Sequence, residues 1–216
     1  MLTSHYTLVL SFPKQSGNIE IVYMPTSDLA LALEPVVRFL RKHSVAYFVG
    51  GSVASSHHGA ARSTLDVDLT VQLTAGVVAE LVAELGNAYY LNEATIRTAI
   101  ARKSCFNLVH LDTSFKVDVF VAGNEPFQMV SQQRAVTTKF GDENGFEVRV
   151  ASVEDILLIK LAWYRLGDES SERQWRDLTT VAKLHAERLD LEYLEHWARP
   201  QGTADLLNRL LAESRI

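Results

Sequence analysis

Two aspartates, Asp66 and Asp68, stand one valine apart and follow the run Gly50-Gly51-Ser52. These residue types suit the holding of a nucleoside triphosphate on magnesium. Carboxylate oxygens ligate a hard divalent ion, and glycine lets the backbone turn tightly and approach a ligand. In Leu65-Asp66-Val67-Asp68-Leu69-Thr70-Val71 the side chains alternate as they do on a strand, so Val67, Leu69 and Val71 share one face and both carboxylates project from the other. Upstream, Val45 to Val49 reads as an apolar strand that passes through Gly50 and Gly51 into a short helix ended by Gly59. Backbone N–H groups at the start of that helix, with the Ser52 hydroxyl, make an anion site for phosphates. A third carboxylate, Asp118, lies opposite the valine face formed by Val117, Val119 and Val121. With the two strands as neighbours, three acidic groups converge, and each close pair repels by a few kcal/mol at an effective dielectric of about 20 unless a cation sits between them.

Each feature also has an ordinary reading. A double glycine after a strand is commonly a turn, and an Asp-Val-Asp strand is commonly a solvated face, so the argument rests on their order and on the third acidic strand. His57 and His58 are adjacent, which lacks the spacing that sets two zinc ligands on one helix face, and no further His or Cys cluster in the sequence completes such a site.

Val49-Gly50-Gly51-Ser52, thirteen intervening residues, Asp66-Val67-Asp68-Leu69 and then Val117-Asp118-Val119 resemble the signature of the nucleotidyltransferase superfamily, over roughly residues 45 to 121. The run from Arg62 to Leu69 looks like that of bacterial minimal nucleotidyltransferases and AbiEii-like toxins, and Ser152 to Leu161 is similar to their lysine-bearing helix. The resemblance implies an α/β (α+β) fold, a mixed β-sheet with flanking helices and a C-terminal helical bundle, with a catalytic core over 1–150 and a helical region over 151–216. It implies Asp66, Asp68 and Asp118 as catalytic and metal-binding residues, with Mg2+ or Mn2+ as the cofactor. Gly50, Gly51, Ser52, Arg62 and Lys160 are its nucleotide- and phosphate-binding residues. Arg62 has the ordinary reading of a loop salt-bridge partner, and Lys160 that of a stem along an apolar surface with its amine in water. The implied reaction moves a nucleoside monophosphate from a nucleoside triphosphate such as ATP to an acceptor hydroxyl, with release of pyrophosphate. A tRNA end, a protein side chain or a small molecule all fit as acceptor, and an antitoxin is an expected partner. Two other classes stay open: a non-catalytic nucleotide- or partner-binding module on the same fold, and a metal-dependent phosphohydrolase.

The elements that must position these groups are legible along the chain. Tyr6 to Phe12 and Ile19 to Tyr23 read as an N-terminal hairpin, within residues 1–24. A helix begins at Ser27-Asp28 with the stripe Leu29, Leu31, Leu33, Val36, Val37 and Leu40. Helices follow over Thr74 to Leu85 and Asn92 to Ala101, paired strands over Cys105 to Leu111 and Phe115 to Val121, and short strands over Val136 to Phe140 and Phe146 to Val150. From Ser152, a good cap, helices run over Val153 to Leu166, Ser171 to His185, Leu191 to Ala198 and Thr203 to Glu213.

The 216 residues are 47% hydrophobic and 22% charged, enough for a sizeable core near the boundary between one domain and two. The single Cys105 excludes an intrachain disulfide and fits a reducing compartment. A net charge of -5 argues against holding long nucleic acid by charge alone. Arg97, Arg102 and Lys103 form a small basic group that reads as a solvated helix end. No apolar run approaches the ~20 residues a membrane span needs, and the first residues lack a cationic signal region, so the cytoplasm is expected.

Overall fold

The acidic strands lie at the centre of a mixed seven-stranded sheet. The structure is a computed structural model and describes residues 27–61, 64–140 and 145–216. Its strands are β1 (Tyr47–Val49), β2 (Asp66–Val71), β3 (Tyr89–Tyr90), β4 (Cys105–His110), β5 (Lys116–Val121), β6 (Val136–Phe140) and β7 (Phe146–Val150). They are ordered β3-β4-β5-β2-β1-β7-β6. β2 and β5 run parallel, β4 is antiparallel to β5, and β1 is antiparallel to β2. Val67, Leu69, Val71, Val117, Val119 and Val121 are all buried on one face, while Asp66, Asp68, Thr70, Lys116, Asp118 and Phe120 stay partly exposed on the other. Burying one such side chain stabilises the fold by about 1.5–3 kcal/mol. A slip of one residue would turn the apolar set outward and the carboxylates inward, so the register is strongly fixed.

Helix α1 (Ser27–Lys42) packs against β5 and α3 (Val78–Leu85). Leu29, Leu33, Val36, Val37 and Leu40 are buried, whereas Leu31 is 54% exposed. Two residues on from Leu29, Leu31 points to the opposite side of a helix, so it does not belong to the stripe expected from the sequence. A single 3-10 turn over Ala75–Val77 leads into α3, and Asn92 caps α4 (Glu93–Arg102) by accepting a hydrogen bond from the Thr95 amide. β3 and α5 (Pro126–Arg134) are additions to the sequence reading. β3 has only two residues, and the buried residues of α5 are the polar Ser131 and Gln132, so neither produces an apolar period. The expected hairpin over 1–24 lies outside the described residues.

Helices α2 (Gly51–His57), α6 (Val153–Leu166), α7 (Glu172–His185), α8 (Leu191–Ala198) and α9 (Ala204–Ser214) complete the fold. α6 packs against α2, α7 and α8. Its cap is a closed network. Ser152 Oγ accepts from the Asp155 amide at 3.2 Å and donates to Asp155 Oδ2 at 2.7 Å. The Tyr193 hydroxyl donates to Asp155 Oδ1 at 2.6 Å and the Ser131 hydroxyl to the same oxygen at 3.3 Å. The Arg134 guanidinium lies 3.7 Å from Asp155 Oδ2 and 3.9 Å from the centre of the Tyr193 ring. Among the described residues no helix is long and apolar enough to cross a membrane.

Candidate active site

The parallel pairing of β2 with β5 sets Asp68 opposite Asp118 and Asp66 opposite Lys116. Because side chains of paired residues leave the sheet on the same side, these four charged groups share one small patch. The glycine turn is drawn tightly against it. The Gly50 amide donates to the Asp68 carbonyl at 2.8 Å. Gly51 has φ +54, and a Cβ there would stand 1.6 Å from Asp68 Oδ2. Both the backbone angle and the space demand glycine at 51. α2 therefore begins directly beside the Asp68 carboxylate, with Ser52 buried in its first turn.

The carboxylates differ in their partners. Asp66 Oδ1 accepts from the Thr64 hydroxyl at 2.6 Å. Asp118 accepts from the Asn107 amide on one oxygen and lies 2.8 Å from Lys116 Nζ on the other. Asp68 carries the electrostatic strain: burial, then the charges of Asp66 and Asp118, push its carboxyl up to about 6, while Lys160 and Lys116 partly oppose this. Carboxylates held this close disfavour one another's charged forms, and a divalent cation would relieve that repulsion.

Lys160 does not reach water. Its Nζ lies 2.9 Å from Asp177 Oδ2 across α6 and α7, and both side chains are buried. One turn on, the half-exposed Trp163 stands edge-on to Phe120 at 5.8 Å between ring centres, closing one end of the open face. Arg62 lies outside the described residues. His57 and His58 serve the fold in a different place: His58 Nε2 meets the Ala151 carbonyl at 2.8 Å, and burial lowers its pKa to about 4. Arg97 lies along α4 paired with Glu93, as expected of a solvated helix surface.

Across this frame, a protein-family comparison matches residues 37–214 to the nucleotidyl transferase AbiEii toxin of type IV toxin–antitoxin systems. The chain belongs to that family. It is a nucleotidyltransferase, on the mixed sheet with flanking helices that its motifs imply. No curated protein matches it. Among solved structures it is similar to an antigenic nucleotidyltransferase-like protein from Paracoccidioides brasiliensis, at 17% identity and a TM-score of 0.49, covering 85% of this chain and 92% of that one. It is also similar to the antibiotic-resistance factor ANT(2'')-Ia, at 16% identity and 0.47, over 84% and 96% of the two chains. A third likeness is to the lincosamide antibiotic adenylyltransferase LnuA, at 11% identity and 0.43, over 74% and 98%.

In this nucleotidyltransferase, Asp66, Asp68, Asp118, Gly50, Gly51 and Ser52 come together on one face, with Lys160 close enough for its charge to act on Asp68. As they stand, and among the described residues, no three His, Cys, Asp or Glu side chains form a ready metal cage. Lys116 and Asn107 hold Asp118, and Thr64 holds one oxygen of Asp66. The donor set still fits magnesium, which commonly takes one or two carboxylates and fills its remaining positions with water and substrate phosphate. Lys116, Asn107 and Asp177 are charged or polar members of the site that the motifs did not single out. Lys116 was within reach of the sequence, because a residue two before Asp118 on a strand must share its face.

Proposed function

We propose that this nucleotidyltransferase works with Mg2+ or Mn2+ and transfers a nucleoside monophosphate from a nucleoside triphosphate such as ATP to an acceptor hydroxyl. The observation that carries the reading is the meeting of Asp68 with both Asp118 and the Gly51 turn, which joins a metal-binding chemistry to a phosphate-binding one. Asp66 and Asp68 would hold the metal. When bound, it would supply the charge neutralisation that in-line displacement at the α-phosphorus needs. Gly50, Gly51 and Ser52 present the start of α2 to the triphosphate. Asp118 takes the proton of the incoming hydroxyl, a reading supported by its place on β5 directly opposite Asp68. Arg62 and Lys160 steady phosphate oxygens, Lys160 through a position fixed by Asp177. The protein acts in the cytoplasm as the toxin of a pair whose antitoxin is its partner. Its acceptor is a tRNA end, a protein or a small molecule.

Incubation with each α-labelled nucleoside triphosphate and a cell extract tests this directly. The expected result is pyrophosphate release with label transferred to one extract component, dependent on divalent metal and lost in Asp68→Asn. Release of inorganic phosphate would make the protein a phosphohydrolase, and nucleotide binding with no pyrophosphate would make it a binding module.

A further inference from the structure

The open face already contains a cation. Lys116 lies opposite Asp66 in the β2–β5 register and two residues before Asp118, whose Oδ2 its ammonium meets at 2.8 Å. The other oxygen of Asp118 accepts from Asn107, its direct neighbour on β4. Both Asp118 oxygens are thus engaged by neighbouring side chains. The lysine is not locked in: its side chain is 43% exposed, and a four-carbon stem lets the ammonium leave along several paths. Its hydrogen bond to Asp118 is the largest influence favouring its charged form, and the charges of Asp118, Asp66 and Asp68 add to it.

Building on the metal-dependent reading above, we propose that Lys116 is the tethered counter-ion of this face, engaging Asp118 until a metal-bound nucleotide arrives, and thereby setting how tightly the bare protein holds a divalent ion. A free divalent ion must displace the ammonium from Asp118 and tolerate it nearby, since like charges a few ångströms apart repel strongly at a protein surface. A metal that arrives on a triphosphate brings its own negative charge. The displaced ammonium can then turn to phosphate oxygen, and Asp118 is freed to meet the acceptor hydroxyl. Metal occupancy is in this way coupled to nucleotide, so the site is not filled idly by free metal. Lys116 acts here as a positioning residue, through Asp118.

The test is a Mn2+ titration of the full chain without nucleotide, with free Mn2+ followed by electron paramagnetic resonance. Lys116→Met should bind Mn2+ about tenfold more tightly than wild type or better, as expected on deleting a neighbouring unit charge. Lys116→Gln should do the same, and Lys116→Arg, which keeps the charge, should stay near wild type. In chelator, Lys116→Met should melt below wild type, and Mn2+ should raise its melting temperature by more. Equal or weaker Mn2+ binding in both Lys116→Met and Lys116→Gln overturns the inference. If their affinity for metal-nucleotide falls instead, the lysine is simply a phosphate ligand. The parent reading fails by a different sign: Mn2+ binding by Lys116→Met that is indifferent to an added Asp68→Asn would show that these carboxylates do not hold metal at all.

Discussion

Two acidic groups in this protein, Asp155 fully buried and Asp68 partly so, are treated by their neighbours in opposite ways. Burial raises the pKa of Asp68 on β2 and of Asp155 at the start of α6, and in both it is the largest influence. Around Asp155 the next influences are hydrogen bonds from Tyr193 and Ser152 and the charge of Arg134, all of which favour the carboxylate. Around Asp68 the next two are the charges of Asp66 and Asp118, which disfavour it further. A carboxylate whose neighbours complete it is a joint. One whose neighbours repel it suits a partner that carries positive charge, and the glycine turn pressed against Asp68 agrees with the metal-bound phosphate chain proposed above.

Exchanging the charge at each place breaks the comparison if it is wrong. Asp66→Asn and Asp68→Asn should lower turnover by about a thousandfold or more, about 4 kcal/mol at the transition state, with metal-free stability unchanged or higher. Asp155→Ala should show the reverse pattern. It leaves the Ser152 and Tyr193 hydroxyls without their shared acceptor, so stability should fall by about 3 kcal/mol while molecules that remain folded keep turning over. Chemical denaturation in chelator, paired with pyrophosphate release in magnesium, reads both quantities. The contrast collapses if Asp68→Asn proves as destabilising as Asp155→Ala.

Lys160 sharpens the comparison because it belongs to both kinds of place. Its ion pair with Asp177 is buried like the Asp155 network, yet its charge acts on Asp68. Lys160→Met alone should cost about 3 kcal/mol of stability, since it removes one member of a buried ion pair. Replacing both partners, Lys160→Met with Asp177→Leu, should restore most of that loss, because an apolar pair of similar volume replaces a desolvated ion pair well. Turnover should not return with stability. A double variant that is stable and active would make the lysine a structural residue only.

What the sequence disclosed and what it withheld follow the range of the physics involved. Alternation along a strand is local, so the shared side of Asp66 and Asp68, the place of Asp118 opposite its own valines and the valine core could be read directly, while the meeting of the three depends on the pairing of β2 with β5. Helix caps are local too, and Ser152 and Asn92 cap α6 and α4 as their residue types suggest. The pairing of Lys160 with Asp177 joins two helices at a distance of 17 residues and has no sequence period, so an amine in water was the natural but incorrect alternative for its stem. Helix α5 escaped notice because its buried side chains are Ser131 and Gln132, where a pattern search looks for apolar ones. The close approach of Gly51 to Asp68 depends on β1 pairing with β2, which glycine content alone cannot announce.

The smallest expected effect is also the most specific, because it separates Asp68 from a second buried titrating group of opposite sign. The carboxyl of Asp68 is raised to about 6 in the folded protein, above its ordinary value of 3.8. The native state therefore takes up a proton before the unfolded chain does, so this group adds stability as pH falls from about 6 towards 4, by roughly 2 kcal/mol at most. His58 acts the other way. Its pKa is lowered to about 4 from 6.5, chiefly by burial, so the stability of its neutral ring is complete above 6.5 and is lost as pH falls towards 4. In wild type the two slopes offset each other over the same window. Asp68→Asn removes the favourable one, so in chelator this variant should lose stability on acidification from pH 6.5 to 4.5 more steeply than wild type, by roughly 1 to 2 kcal/mol. His58→Gln should lose it less steeply than wild type. Urea denaturation at three pH values in that window is sufficient, and parallel curves for wild type and Asp68→Asn would mean that Asp68 is an ordinary solvated carboxylate and that no unbalanced charge awaits a cation on this face.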